Sequence, residues 1–246
     1  MDNLHLVYQP QYDAMTKNGI GCEAFMRLDS IELGTVSPGE FIPVAEEAGL
    51  INDLGEWALV EACRFNRRII DAGNKPILVS VNISTSQLRG NRLLNLVKSI
   101  PEKTGMPLEY LEIEITEKVL MKNFEHNLEI MNHLKGLGVK SALDDFGIGY
   151  SSLNMLRKLP VNVLKLDRGF INEASCTERG FIVLNHVTQM SRDLKATVVC
   201  EGIETSEQVN MLKNAGGDIA QGFYYAKPMP LDEYNKFVYE HEGSYN

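Results

Sequence analysis

No apolar run in the sequence approaches the roughly 18 residues that a membrane-spanning helix needs, so no membrane span is expected. Its start, Met1-Asp2-Asn3-Leu4-His5, has neither a basic n-region nor a long apolar h-region, so no secretion signal is expected. Cysteine is sparse. Cys22, Cys63, Cys176 and Cys200 lie far apart and form no Cys-x-x-Cys pair, which fits dispersed thiols in a reducing, cytoplasmic setting. Positive charge is also short: 24 Lys and Arg stand against 33 Asp and Glu, a net charge of −9 that would repel a nucleic-acid polymer. If the substrate is a phosphate ester, bound cations must bring it in. There is no Gly-x-Ser-x-Gly, P-loop or His-Glu-x-x-His, and Gly147-Ile148-Gly149 lacks the third glycine of a dinucleotide fingerprint, with Ser152 in its place. No low-complexity linker or charge block divides the chain, so a single domain over 1–246 is expected.

Eight short apolar, β-rich runs are present, around residues 4–9, 20–28, 76–82, 111–116, 140–144, 162–166, 196–201 and 219–223. Between them lie stretches with helical spacing: Ala58, Ala62, Phe65 and Ile69 in one, Val183, Val187, Met190 and Leu194 in another. Strands alternating with helices imply βα units, and eight strands in a chain of this length point to a closed (β/α)8 barrel of the TIM type. The first two runs are separated by a short stretch holding the turn signal Asn18-Gly19. No crossover helix fits there, so these two strands should be antiparallel and the barrel modified by one reversed strand.

Polar side chains recur in or just after seven of the eight strands: Glu23, Asn82, Glu114 with Glu117, Asp144 with Asp145, Lys165, Glu201 and Gln221. A single acidic residue at a strand end is commonly a solvated loop residue or a helix N-cap. Such a series is harder to explain that way, because ionisable groups in apolar strands are costly unless paired or bound to metal. In a barrel they converge at the C-terminal mouth. Carboxylates and an amide are hard oxygen donors that suit Mg²⁺ or Mn²⁺. His5, His126, His133, His186 and His241 lack metal-ligand spacing, which argues against zinc. Six oxygen-donor side chains exceed what one Mg²⁺ takes from protein and would suit two metals, the arrangement that activates water for in-line attack on a phosphodiester. Lys165 would orient that water or stabilise charge in the transition state.

From about Leu4 to Pro230 the chain resembles the EAL phosphodiesterase family. The resemblance rests on Tyr8-Gln9-Pro10, Glu23-Ala24-Phe25-Met26-Arg27, Phe41-Ile42-Pro43-Val44-Ala45-Glu46, Val81-Asn82-Ile83-Ser84 and Glu114-Ile115-Thr116-Glu117. It continues through Asp144-Asp145-Phe146-Gly147-Ile148-Gly149-Tyr150-Ser151-Ser152-Leu153, Lys165-Leu166-Asp167-Arg168, Glu201-Gly202-Ile203-Glu204-Thr205 and Gln221-Gly222-Phe223. It implies hydrolysis of cyclic di-GMP to linear pGpG with two Mg²⁺ or Mn²⁺ ions per active site. Glu23, Asn82, Glu114 and Asp144 would hold the first metal; Asp144, Asp145 and Glu201 would hold the second, with Asp144 bridging. Lys165 would hold the nucleophilic water. Glu201 matches a position also cast as general base, but a metal-bound carboxylate is a poor free base, so the ligand role is favoured. Gln9 and Arg27 resemble substrate contacts, Arg27 toward phosphate. Glu204 and Gln221 resemble further members of the active-site ring, and Glu117 an anchor for the loop after Asp145. The resemblance also implies a homodimer formed by helices near that loop. It begins within ten residues of Met1, so no sensory domain is expected ahead of it in this sequence.

Two positions depart from the family pattern. Phe25 replaces the leucine of Glu-Ala-Leu and, by strand alternation, shares a face with Glu23, where a larger ring would crowd the site. Ile148 replaces a threonine, which removes a hydroxyl but no ligand. A second reading is a catalytically silent receptor for cyclic di-GMP. Members of that kind usually lack several acidic ligands, and here none is missing.

Overall fold

The computed structural model describes residues 3–147 and 156–240. Its chain begins with two long strands, Leu4–Asp13 (β1) and Gly19–Ser30 (β2), joined by a tight turn and paired antiparallel with Gln9 opposite Glu23. Asp13 closes that turn: its Oδ1 accepts from Met15 N at 2.9 Å and Thr16 N at 2.6 Å. A short strand Gly34–Val36 (β3), absent from the sequence expectation, pairs with the far end of β2 outside the barrel. Six further strands follow: Leu78–Asn82 (β4), Leu111–Thr116 (β5), Lys140–Phe146 (β6), Val163–Leu166 (β7), Thr197–Cys200 (β8) and Ile219–Ala220 (β9).

The sheet runs β1-β9-β8-β7-β6-β5-β4-β2 and closes through β1–β2. From β2 round to β9 the neighbours are parallel, while β1 is antiparallel to both β2 and β9. This is the modified (β/α)8 barrel with one reversed strand that the short first connection demands. The last strand is shorter than its apolar run, so Gln221 lies just beyond β9, and Glu201 lies just beyond β8.

Helices cover the outside. Ile51–Asp71 buries Ala58, Ala62, Phe65 and Ile69, the stripe legible in its sequence, and Phe65 stacks on Tyr8 with ring centroids 3.7 Å apart. Glu178–Asp193 forms as expected, but its buried face is Gly180, Leu184, Thr188 and Ser191. Val183 and Leu194, read as part of its apolar stripe, are 49% and 44% exposed. The correction has a physical cause. Gly180 packs so closely on Glu173 and Ala174 that no side chain fits there, which rotates the small-residue face inward.

Period-two alternation builds the barrel interior. Ala142, Val163, Val199 and Ile219 form a small apolar cluster of their own. Two residues further along the same strands, toward the C-terminal mouth, stand Asp144, Lys165, Glu201 and Gln221. On the opposite wall the same step leads from Ser80 to Asn82 and from Glu112 to Glu114. Among the described residues, no helix is long and apolar enough to cross a membrane.

Candidate active site

Lys165 is the centre of the site. It is 1% exposed, and its Nζ lies 2.7 Å from Glu114 Oε2, 2.7 Å from Glu201 Oε1, 3.0 Å from Glu23 Oε2 and 3.7 Å from Asp144 Oδ1. Around this hub runs a chain of amides. Asn82 Nδ2 donates to Glu23 Oε1 at 2.7 Å, and Gln221 Nε2 donates to Glu23 Oε2 at 2.8 Å and to Gln9 Oε1 at 3.2 Å. Gln11 Nε2 donates to Gln221 Oε1 at 2.8 Å, and Gln9 Nε2 to Ala226 O at 3.0 Å. Side chains far apart in sequence are thus gathered at the strands' C-terminal ends, as a barrel mouth requires.

Charge sets the protonation pattern. Burial alone would push Lys165 down, but the four carboxylates around it outweigh burial and hold it well above the usual lysine range. Burial would raise Glu23, yet the Lys165 charge and the hydrogen bonds from Gln221 and Lys165 leave it below the usual carboxylate range. Glu114 goes the other way: full burial first, and then the neighbouring Glu23 charge, raise it well above that range. Glu201 is pushed up to about 7, by burial first and then by Glu23 and Asp144, against the pull of Lys165.

Not every expected residue joins the hub. Asp145 adopts a left-handed backbone, φ +56, which asparagine and aspartate tolerate better than most residues. Its amide donates to Asp144 Oδ1 at 2.9 Å, and burial, Asp144 and Asp167 raise its pKa. Glu204 sits at the rim, paired with Arg168 at 3.0 Å through both oxygens. Arg168 follows the helix cap Asp167, whose carboxylate accepts from Gly169 N and Phe170 N. Glu204 is held by the capping box of Thr205 with Gln208, and its own N–H donates to Gln208 Oε1 at 2.7 Å. Glu117 is buried at the start of the helix Glu117–Met121, with Oε2 lacking a hydrogen-bond partner among the described residues. The segment it was expected to anchor, with Ile148, lies outside the described residues. Arg27 stands over the Phe25 ring, further along β2. Phe25 does not fill the site: it forms part of the wall of a cavity of about 400 Å³ that also touches Glu23, Asn82, Asp144, Glu201 and Arg168.

Two contributors went unread in the sequence. Gln11 carries a signal that alternation could have supplied, since it lies two residues from Gln9 on the same face. Arg168 lay within a quoted motif, but nothing in the sequence showed it paired to Glu204. A second groove, about 480 Å³ and lined by Leu4, Leu28, Phe41, Val44 and Leu54 among others, carries no ionisable side chain and therefore no such chemistry.

The EAL domain description matches residues 1–228. The chain belongs to the EAL domain family. Over 239 residues, 97% of this chain and 30% of the relative, this EAL domain is 36% identical to the signaling protein YkoW of Bacillus subtilis. Over 230 residues, 94% of this chain and 34% of the relative, it is 37% identical to the bifunctional diguanylate cyclase/cyclic di-GMP phosphodiesterase MucR of Pseudomonas aeruginosa. The chain thus spans about a third of the length of these relatives. The solved structure of the PaMucR phosphodiesterase in complex with c-di-GMP superposes with a TM-score of 0.90 at 36% identity, covering 95% of this EAL domain and 94% of that chain.

The donor set of this EAL domain fits a hard divalent cation. Its oxygens come from carboxylates and an amide, and Glu114 Oε1 is buried with no donor to satisfy it. One oxygen each of Glu23, Glu114 and Glu201 is drawn onto the Lys165 ammonium, and among the described residues no three His, Cys, Asp or Glu side chains stand grouped to hold a metal ion.

Proposed function

We propose that this EAL domain is a divalent-metal-dependent phosphodiesterase that opens cyclic di-GMP to linear pGpG. The observation that carries the reading is a buried lysine joined to carboxylates from four barrel strands or their ends, at the floor of a cavity large enough for a nucleotide. The similarity to a phosphodiesterase solved in complex with c-di-GMP supports cyclic di-GMP as the substrate. In the reaction a water oxygen bonds to phosphorus, the bond from phosphorus to the ribose 3′ oxygen breaks, and the leaving oxygen takes a proton.

Glu23, Asn82, Glu114 and Asp144 would hold one Mg²⁺ or Mn²⁺, and Asp144, Asp145 and Glu201 a second. Bound there, the ions would supply an acidified water and offset the phosphate charge. The chain's own residues do the rest. Lys165 keeps its proton and fixes Glu23, Glu114 and Glu201 by donating from Nζ. Gln9, Gln11 and Gln221 fix Glu23 from the other side. Glu201 with a pKa near 7 could accept a proton at neutral pH, but a cation beside it would pull that value down, which favours the ligand role. Gln9 and Arg27 would contact substrate, and Glu204 would brace Arg168 at the entrance. The chain would act as one domain over 1–246, as a homodimer, in a reducing cytoplasm that suits its free cysteines.

The test is a product assay with Mg²⁺, Mn²⁺ and Ca²⁺ in parallel, with nucleotide binding followed by calorimetry. Linear product with Mg²⁺ or Mn²⁺ supports the reading. Binding without product in any metal identifies a silent receptor, and absence of both refutes nucleotide chemistry.

A further inference from the structure

Glu23, Phe25 and Arg27 alternate along one face of β2. The Arg27 guanidinium carbon lies 5.5 Å from the centroid of the Phe25 ring, within cation–π reach. Arg27 Nη1 also donates to Met26 O at 2.9 Å. Among the described residues no carboxylate forms an ion pair with Arg27, whereas Arg64, Arg67 and Arg168 each pair with one and Arg92 with two.

The difference matters because Phe25 itself lines the acidic cavity. A carboxylate would occupy the in-plane N–H donors of the guanidinium and cancel its charge. An aromatic face holds the cation through its quadrupole and leaves those donors open. The leucine usual at this position of the motif has no quadrupole and could not do this.

We propose that Phe25, which lines the cavity, is a positioning residue that holds the Arg27 guanidinium beside it, with the remaining donors set for a phosphate oxygen of the substrate. This rests on the reading of the site as a cyclic dinucleotide phosphodiesterase. It recasts the departure from Glu-Ala-Leu as a gain in substrate capture rather than a crowding defect.

The experiment is a double-mutant cycle read by calorimetric binding of cyclic di-GMP in Ca²⁺, and by KM in Mg²⁺. Phe25→Leu should weaken binding about two- to fivefold, the range a partly exposed cation–π contact supplies, and lower kcat/KM through KM. Phe25→Tyr, which keeps the ring, should restore both. In an Arg27→Gln background Phe25→Leu should have no further effect. An equal loss in both backgrounds would mean that the ring meets the nucleotide directly and would overturn the proposal, as would no loss in either. A nucleotide-free readout separates the two readings. In the free protein the Arg27 side-chain NMR resonances should carry a ring-current shift that Phe25→Leu abolishes, and its absence from wild type overturns the positioning role. Wild-type protein that fails to bind nucleotide would instead overturn the substrate reading, and with it the phosphate contact of Arg27.

Discussion

Lys165→Met tests whether the lysine is the keystone that the geometry implies. Methionine keeps a flexible chain of similar length, so little cavity is created, and the change is chiefly the loss of one buried positive charge. That charge contacts Glu23, Glu114 and Glu201 at 3.0 Å or less. Removing one partner of a buried ion pair costs about 3–5 kcal/mol, because the remaining charge is left uncompensated. For a domain of this size each kcal/mol moves Tm by roughly 2–4 °C, so the variant should melt about 6–20 °C below wild type in EDTA. The loss should be smaller at pH 6 than at pH 8, since the stranded carboxylates can take up protons at the lower pH. Mn²⁺ should raise the Tm of the variant more than that of wild type, because cation and lysine neutralise the same oxygens. Melting curves followed by circular dichroism, at both pH values and with EDTA or Mn²⁺, give all four comparisons. A Tm unchanged in EDTA would refute the keystone role. An identical Mn²⁺ shift in variant and wild type would refute the shared-oxygen argument.

Glu23→Ala should abolish turnover in Mg²⁺ and Mn²⁺, and a wild-type rate in that variant would contradict its assignment as a ligand. Glu201 has a folded pKa of about 7, raised above its unfolded value. Its contribution to metal-free stability is therefore full below the unfolded pKa and is lost as pH rises through about 7. Melts in EDTA should show Tm falling over that window, and the fall should flatten in Glu201→Gln. Addition of Mn²⁺ near pH 6 should release protons from Glu114 and Glu201, detectable as buffer-dependent calorimetric heats, and buffer-independent heats would contradict the raised values. Gly222→Ala should lower stability by about 1–3 kcal/mol, because an added Cβ would collide with the Ile203 backbone and force strain, and a chemical denaturation midpoint equal to wild type would refute that packing.

The barrel was legible because its signals are local. Apolar runs mark the strands, and Asn18-Gly19 fixes the reversed one, since a turn that short excludes a crossover helix. The β3 strand was not, because three residues outside the barrel carry no apolar run of their own. Convergence of Glu23, Asn82, Glu114, Asp144, Lys165, Glu201 and Gln221 follows from their strand-end positions, so topology alone brings them together. Their partners do not follow. That Glu114 is fully buried while Glu201 lies nearer the surface depends on side-chain depth, which alternation cannot give. Arg168 was also invisible as a rim residue, because its contact with Glu204 joins the start of the helix Arg168–Cys176 to a loop distant in sequence.

The choice of lysine over arginine at position 165 can now be argued from geometry. Glu23, Glu114, Asp144 and Glu201 approach one point from four strands or their ends, and three of them lie within hydrogen-bond distance of it. A planar guanidinium spreads its five donors around a rigid plane and could not aim them at carboxylates that converge on a single point. An ammonium has three donors that rotate about a single atom, and here three carboxylates lie within their reach. One positive charge still falls short of the carboxylates around it. Glu114, raised well above the usual range, and in part Glu201, raised to about 7, take up protons that reduce the remainder. On the proposed function, the same deficit would give the site affinity for a divalent cation, which would displace those protons rather than the lysine. Lys165 thus keeps the acidic cluster folded before a cation arrives, and the raised carboxylates beside it leave charge for that cation to neutralise.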